Sequence, residues 1–168
     1  MSSRPVPILL VEDDASLGQL LMEELEVDGY RVRRVSMVAE ARTALADERP
    51  GLIVSDLRLP DGDGLEILSL QQAEHPGIPF IVITAFGTVD QAVDALKAGA
   101  DDFLTKPLST DHLRLKIKRL LAQADLNRQL AEYQSGRGGD ENMGLIGGSA
   151  MMDRLRSDIR QVARSQAA

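Results

Sequence analysis

The 168-residue chain contains no cysteine, which excludes disulfide staples and thiolate metal sites and fits a reducing compartment. Tryptophan is absent too, and aromatic residues make up only 3% of the chain, so there is little to stack on nucleic-acid bases. Positive charge is in deficit: 19 Lys and Arg against 26 Asp and Glu give a formal net charge of -7. Phosphate backbones repel a chain of that sign, and no direct nucleic-acid contact is expected beyond a local basic patch. No apolar run approaches the roughly 18–20 residues of a membrane span, and the opening residues lack a signal-peptide core. The expectation is a soluble cytoplasmic protein with no membrane partner. A G-x-x-x-x-G-K-[ST] phosphate loop is also missing, because Gly147-Gly148-Ser149 has no lysine after it. ATP hydrolysis is therefore not assigned to this chain.

What is present is a rhythm of short apolar runs and helical patterns. Pro7-Ile8-Leu9-Leu10-Val11 is a compact run ending in Glu12-Asp13-Asp14, and it reads as a strand with acids at its carboxyl end. Leu17, Leu20, Leu21 and Leu25 follow at helical spacing, with Gly29 suited to a C-terminal cap. Tyr30 to Val35 alternates Val with Arg and predicts a shorter, more exposed strand. Ser36 is positioned to cap a helix that Pro50 and Gly51 stop. Leu52 to Ser55 is a buried strand leading into Asp56 and the loop Pro60-Asp61-Gly62-Asp63-Gly64. Leu65 and Leu68 mark a helix ended by His75-Pro76-Gly77, and Phe80 to Ile83 is a fourth strand ending at Thr84-Ala85. Val89, Val93 and Leu96 define a helix closed by Gly99, and Phe103-Leu104-Thr105 is a fifth strand ending at Lys106-Pro107. Five strands alternating with helices predict a parallel α/β sheet covered on both faces.

Ligands of open α/β sheets sit beyond the carboxyl ends of the strands. Asp13, Asp14, Asp56, Thr84 and Lys106 should therefore meet along one edge. Two carboxylates about 4 Å apart repel by on the order of 4 kcal/mol at an effective dielectric near 20, so the set needs a cation. All-oxygen ligation suits Mg2+, with Mn2+ possible in its stead. Three acids, one divalent ion and Lys106 then sum to zero formal charge. Such a site could stabilise a transferring phosphoryl group, with Asp56 as the nucleophile and Thr84 as a hydrogen-bond donor. Each residue alone is a weak signal: Asp13 or Asp14 could equally be an ordinary helix N-cap.

With those residues in order, the chain resembles the receiver domains of two-component response regulators. Val11-Glu12-Asp13-Asp14 matches that family's acidic pocket, and Ser55-Asp56-Leu57-Arg58-Leu59-Pro60 its phosphoacceptor segment. Thr84-Ala85 matches the switch threonine and the small residue after it, and Phe103-Leu104-Thr105-Lys106-Pro107 the switch aromatic and the lysine with its proline. The resemblance implies a doubly wound, five-stranded flavodoxin-like receiver fold of strand order 2-1-3-4-5 with an extended C-terminal linker helix. It implies phosphorylation of Asp56 by a sensor histidine kinase. It also implies Mg2+ bound by Asp14, Asp56 and the backbone carbonyl of Arg58, with Asp13 acting through water, and a cis Lys106-Pro107 bond. Turnover of a free substrate is not implied.

Further segments narrow the resemblance. Gly87 to Val93 and Gly99 to Phe103 resemble receivers of sigma-54-dependent, NtrC-like activators, and Leu145 to Met152 is similar to the opening of their AAA+ ATPase domain. The implied division is a receiver over 5–122, a linker helix and Gly-rich linker over 123–142, and the start of a truncated ATPase domain over 143–168. An ATPase domain and a DNA-binding domain are then expected only in a longer protein. From Thr110 the apolar residues Leu113, Ile117, Leu120, Leu126, Leu130 and Tyr133 predict a long helix. It is either a domain helix that overruns its core or a self-associating linker, giving a homodimer with the last sheet helices. Arg114, Lys116, Lys118 and Arg119 are either a partner site or a solvated face. Two other functions fit parts of the pattern: a phosphorylation-independent dimerisation module, and a Mg2+-dependent phosphohydrolase. The latter usually has a second acid two residues after its nucleophile, where this chain has Arg58. Asp61 and Asp63 read as a solvated turn rather than a calcium loop.

Overall fold

A computed structural model describes residues 3–85 and 89–136. The chain divides into two units, Met1–Arg128 and Gln129–Ala168. The element order is β1 (Pro7–Val11), α1 (Ala15–Val27), β2 (Arg31–Val35), α2 (Val38–Asp47), β3 (Leu52–Asp56), β4 (Arg58–Leu59), β5 (Gly62–Asp63), α3 (Gly64–Glu74), β6 (Phe80–Thr84), α4 (Val89–Lys97), β7 (Asp102–Thr105) and α5 (Thr110–Ser135). Most of the expected Gly-rich linker, the segment from Gly144 onward, and Gly87 and Thr88 lie outside the described residues.

Five parallel strands form one sheet in the order β2-β1-β3-β6-β7. Without the two-residue β4–β5 ladder this is the expected 2-1-3-4-5 arrangement. Every residue of β3 and β6 is buried, as strands covered on both faces must be. The two-residue period of a strand divides the core in two. Leu9, Val11, Ile53, Phe80 and Val82 face one side, where α2 and α3 pack through Ala41, Leu45, Ile67 and Leu68. Ile8, Leu10, Leu52, Val54, Ile81 and Ile83 face the other, against Leu21 and Leu25 of α1 and Leu113, Ile117 and Leu120 of α5. Fully burying one such side chain contributes about 1.5–3 kcal/mol. Truncating Ile53 to Ala would remove a central piece of the first layer at a cost of about 2–5 kcal/mol. Among the described residues the edge strand β2 pairs only with β1, and it keeps Arg31 and Arg33 exposed, which accounts for its alternating composition.

Helix ends follow local chemistry with one departure. Gly29 (φ 92) and Gly99 (φ 110) take the left-handed conformation just after α1 and α4, as expected of C-terminal caps. Ser36 does not cap α2. Its amide and hydroxyl both donate to the Glu40 carboxylate, at 2.7 and 3.0 Å, and the N-cap position falls on Met37, whose side chain makes no cap bond. The cap comes from across the molecule: Asp61 accepts from the amides of Val38 at 2.7 Å and Ala39 at 2.9 Å. Those bonds hold the Asp61 carboxyl below its ordinary value. Asp63 caps α3 and closes a capping box with Glu66. Both acids of the presumed solvated turn are therefore structural.

The basic residues of α5 are likewise engaged. Arg114 makes a forked pair with Asp28 at the end of α1, while Lys116 and Arg119 reach Asp102 at 2.8 and 2.6 Å. Arg114 and Lys116 are half-buried in these pairs, whereas Arg119 stays exposed while paired. Farther along α5, Leu126, Leu130 and Tyr133 are exposed.

Candidate functional site

Four strand ends deliver the site. Glu12 follows β1, Asp56 ends β3, Thr84 ends β6 and Lys106 follows β7. Parallel pairing aligns these ends, with Val11 opposite Ser55, Asp56 opposite Ile83, and Thr84 opposite Thr105. Asp56 is only 4% exposed and Glu12 is fully buried. Burial of carboxylates at such depth requires a cation, and Lys106 supplies one. Its Nζ lies 2.7 Å from Asp56 Oδ2 and 3.2 Å from Glu12 Oε1. Glu12 Oε2 is 3.0 Å from the same ammonium, an ion-pair distance, but buried without hydrogen-bond geometry to any donor.

The electrostatics follow from those distances. Burial pushes the Glu12 carboxyl above its ordinary value, against the opposing pull of the Asp14 amide and of Lys106. Burial alone would lower Lys106, but its bonds to Asp56 and Glu12 outweigh this and hold it above its usual range. Lys106 thus stays charged at neutral pH. The Lys106–Pro107 peptide bond is cis.

Backbone contacts fix Asp56. Its Oδ1 accepts from the Arg58 amide at 3.0 Å, and Ser55 Oγ donates to its carbonyl oxygen at 2.9 Å. Leu57 donates to Ile83 O at 3.0 Å and accepts from the Gly64 amide at 2.8 Å. The glycine at the start of α3 is required by space: a Cβ on Gly64 would lie 2.1 Å from the Asp56 carbonyl oxygen. Thr84 is 3% exposed, and its hydroxyl donates to Gln91 Oε1 of α4 at 3.3 Å. Ala85 and Pro107 are exposed, and Phe103 is half-buried against the first core layer. A cleft of about 540 Å³, lined by residues including Leu57, Arg58, Leu59, Gln91 and Asp94, opens along the loop that follows β3.

The acidic cluster differs from the expected one by a single residue. Glu12, Asp13 and Asp56 each offer a carboxylate oxygen within 4.8 Å of the others. Asp14 does not join them. Its backbone is extended (φ -67, ψ 114) and its side chain accepts from the Leu17 amide at 2.9 Å, as the N-cap of α1. The three acids run consecutively, so the helix start decides which of them is turned away from the cluster. The signal was the Asp14-Ala15-Ser16-Leu17 sequence, an acid immediately before a helical pattern. Three carboxylates against one ammonium leave a formal charge of −2. Hard oxygen donors, among them a Glu12 Oε2 that is ion-paired but accepts no hydrogen bond, suit one divalent ion of the Mg2+ class.

Comparison with known proteins agrees with this geometry. Residues 8–118 match the response regulator receiver domain. The response regulator protein PilR of Pseudomonas aeruginosa is 39% identical over 159 residues, covering 95% of this chain and 34% of that protein. The transcriptional regulatory protein ZraR of Klebsiella oxytoca is 35% identical, covering 99% of this chain and 37% of its own length. The chain thus spans about a third of the curated relatives it matches. Among solved structures, the receiver domain of a LuxO repressor protein from Vibrio parahaemolyticus has a TM-score of 0.71 at 34% identity, covering 75% of this chain and 97% of that one. NtrX from Brucella abortus, in complex with ADP, has a TM-score of 0.73 at 30% identity, covering 95% of this chain and 34% of its own. A parallel sheet whose strand ends bring an acid cluster and a lysine onto one buried aspartate is thus matched in sequence and in fold, and the chain belongs to the response regulator receiver family.

Proposed function

We propose that this chain is a phosphorylation switch in which Asp56 accepts a phosphoryl group from the phosphohistidine of a sensor histidine kinase. The observation that carries this reading is the 2.7 Å contact between the Asp56 carboxylate and the Lys106 ammonium, beside two further acids. An Asp56 oxygen would attack phosphorus and form an acyl phosphate. The phosphorus–nitrogen bond breaks, and its electron pair returns to the kinase imidazole, which takes up a proton. Lys106 would move its hydrogen bond from the carboxylate to the incoming phosphoryl oxygens. The Arg58 amide keeps Asp56 oriented.

Asp13, Asp56 and the backbone carbonyl of Arg58 would hold Mg2+, or Mn2+, with Glu12 replacing Asp14 as the second acid of the pocket. The ion would supply neutralising charge for the transferring phosphoryl group. Asp14 is left out because its carboxylate is committed to α1.

The added charge would bias a two-state element. Thr84 would exchange Gln91 for a phosphoryl oxygen, Ala85 leaves room for that move, and Phe103 would turn inward behind it. Val89, Val93 and Leu96 of α4 and Leu115 of α5 are exposed apolar residues, and with the later part of α5 they would form the homodimer face that responds. We further read 5–122 as the receiver, 123–142 as linker, and 143–168 as the start of an ATPase domain. The whole protein would be a cytoplasmic activator of sigma-54-dependent transcription, with DNA binding supplied elsewhere.

Titration with beryllofluoride and Mg2+, followed by calorimetry and light scattering, tests this reading. Binding by the parent with a change in mass, and its loss in Asp56→Asn, is the expected result. Equal binding by both would overturn it.

A further inference from the structure

Gly18 is an anomaly. It is the fourth residue of α1 and buried, where glycine costs about 1 kcal/mol relative to alanine. Its φ is not in the left-handed region, so conformation does not call for it. Space does: a Cβ there would lie 2.1 Å from Nε of Arg34 and 2.9 Å from its Cδ and Cζ. The helix is notched to receive a guanidinium.

That guanidinium has an unusual address. Arg34 lies on β2 opposite Leu10, and it makes no ion pair among the described residues. Its half-buried side chain crosses to the β1–α1 loop, where Nη2 lies 3.4 Å from the carbonyl oxygen of Glu12 and 3.5 Å from that of Asp14. Those two carbonyls flank Asp13. The buried Nε has no hydrogen-bond partner at all. A charge half-withdrawn from water, over a glycine that weakens its helix, is poor design for stability alone. It does, however, span the backbone that carries two of the three clustered acids.

We infer that Arg34, seated on Gly18, is a positioning residue for the metal pocket, holding the Glu12–Asp14 backbone so that Asp13 faces Asp56. The inference rests on the reading that Glu12, Asp13 and Asp56 hold Mg2+. Groups that orient metal ligands from behind typically contribute about 10–100-fold in affinity, and the two long contacts here point to the lower end.

The experiment is calorimetric titration of the full chain with MgCl2, paired with thermal unfolding, for the parent, Arg34→Ala, Arg34→Lys, Gly18→Ala and the Arg34→Ala/Gly18→Ala double variant. Arg34→Ala should weaken Mg2+ binding about tenfold, with part of the loss recovered by Arg34→Lys. Gly18→Ala should displace the flexible guanidinium and weaken binding similarly, although alanine is the better helix former. The double variant should bind no worse than Arg34→Ala, because both changes remove one contact. A strut without this role would change the unfolding midpoint and leave Mg2+ affinity at the parent value, which overturns the inference. Additive losses in the double variant overturn it as well. A parent that binds no Mg2+ overturns the metal reading and this inference with it; a parent that binds, matched by its variants, overturns this inference alone.

Discussion

The ammonium of Lys106, one residue beyond β7, lies 2.7 Å from Oδ2 of Asp56 at the end of β3. To make that contact it crosses β6, which separates the two strands in the sheet, and it also reaches Glu12 beyond β1. One cation therefore joins three strand ends. Replacing Lys106 with Met leaves two buried carboxylates facing each other. The expected loss in the metal-free chain is about 3 kcal/mol, the low end for a broken buried pair, since the lysine side chain is 21% exposed. Urea unfolding with and without Mg2+ checks this. The loss should shrink when Mg2+ is present, and an equal loss in both conditions would contradict the account.

Gly64 closes the loop behind Asp56. A methyl group there meets the Asp56 carbonyl oxygen, which belongs to the backbone of a buried strand and has nowhere to go. Gly64→Ala should destabilise the chain by about 2–3 kcal/mol and reduce phosphoryl acceptance in the fraction that remains folded. Denaturant titration and labelling with acetyl phosphate read the two effects separately.

Asp61 tests whether the loop acids are structural. Asp61→Ala removes the acceptor for the Val38 and Ala39 amides, so α2 should fray at its first turn and the unfolding midpoint should fall. Labelling of Asp56 should persist near the parent level. Amide hydrogen exchange should locate the change at Val38 and Ala39.

The pair between Arg114 and Asp28 predicts a pH dependence. The hydrogen bonds from Arg114 hold the Asp28 carboxyl below its ordinary value, against the opposing effect of burial. A depressed carboxyl contributes stability that is fully present above its unfolded pKa and is lost as pH falls through the folded one. Acid unfolding of the parent should therefore include a component below the ordinary aspartate range that Asp28→Asn lacks. Coincident acid limbs for the two chains would contradict the assignment.

Much of this architecture could be read directly from residue order. β1, β3 and β6 are five-residue strands that open on apolar runs and are bounded by acids or turn residues, and both their ends lie within one residue of expectation. The exposed β2 followed from its Val–Arg alternation. Asp56, Thr84 and Lys106 meet because strand ends converge, which the fold class alone dictates. Side-chain contacts that do not follow from the convergence of strand ends were not legible. Nothing local assigns the α2 cap to Asp61 rather than Ser36, because the acceptor lies 23 residues from Val38. Among three consecutive acids, composition cannot separate Glu12 and Asp13 from the capping Asp14. Arg34 looks solvated on an edge strand until the notch at Gly18 is seen.

The central claim is that Asp56 receives the phosphoryl group. Incubating the chain with acetyl phosphate and Mg2+, then mapping added mass by peptide mass spectrometry, tests it most directly. The account predicts one phosphoryl group on the peptide containing Asp56, released by hydroxylamine as an acyl phosphate must be, and absent from Asp56→Asn. Undiminished labelling of Asp56→Asn would contradict it.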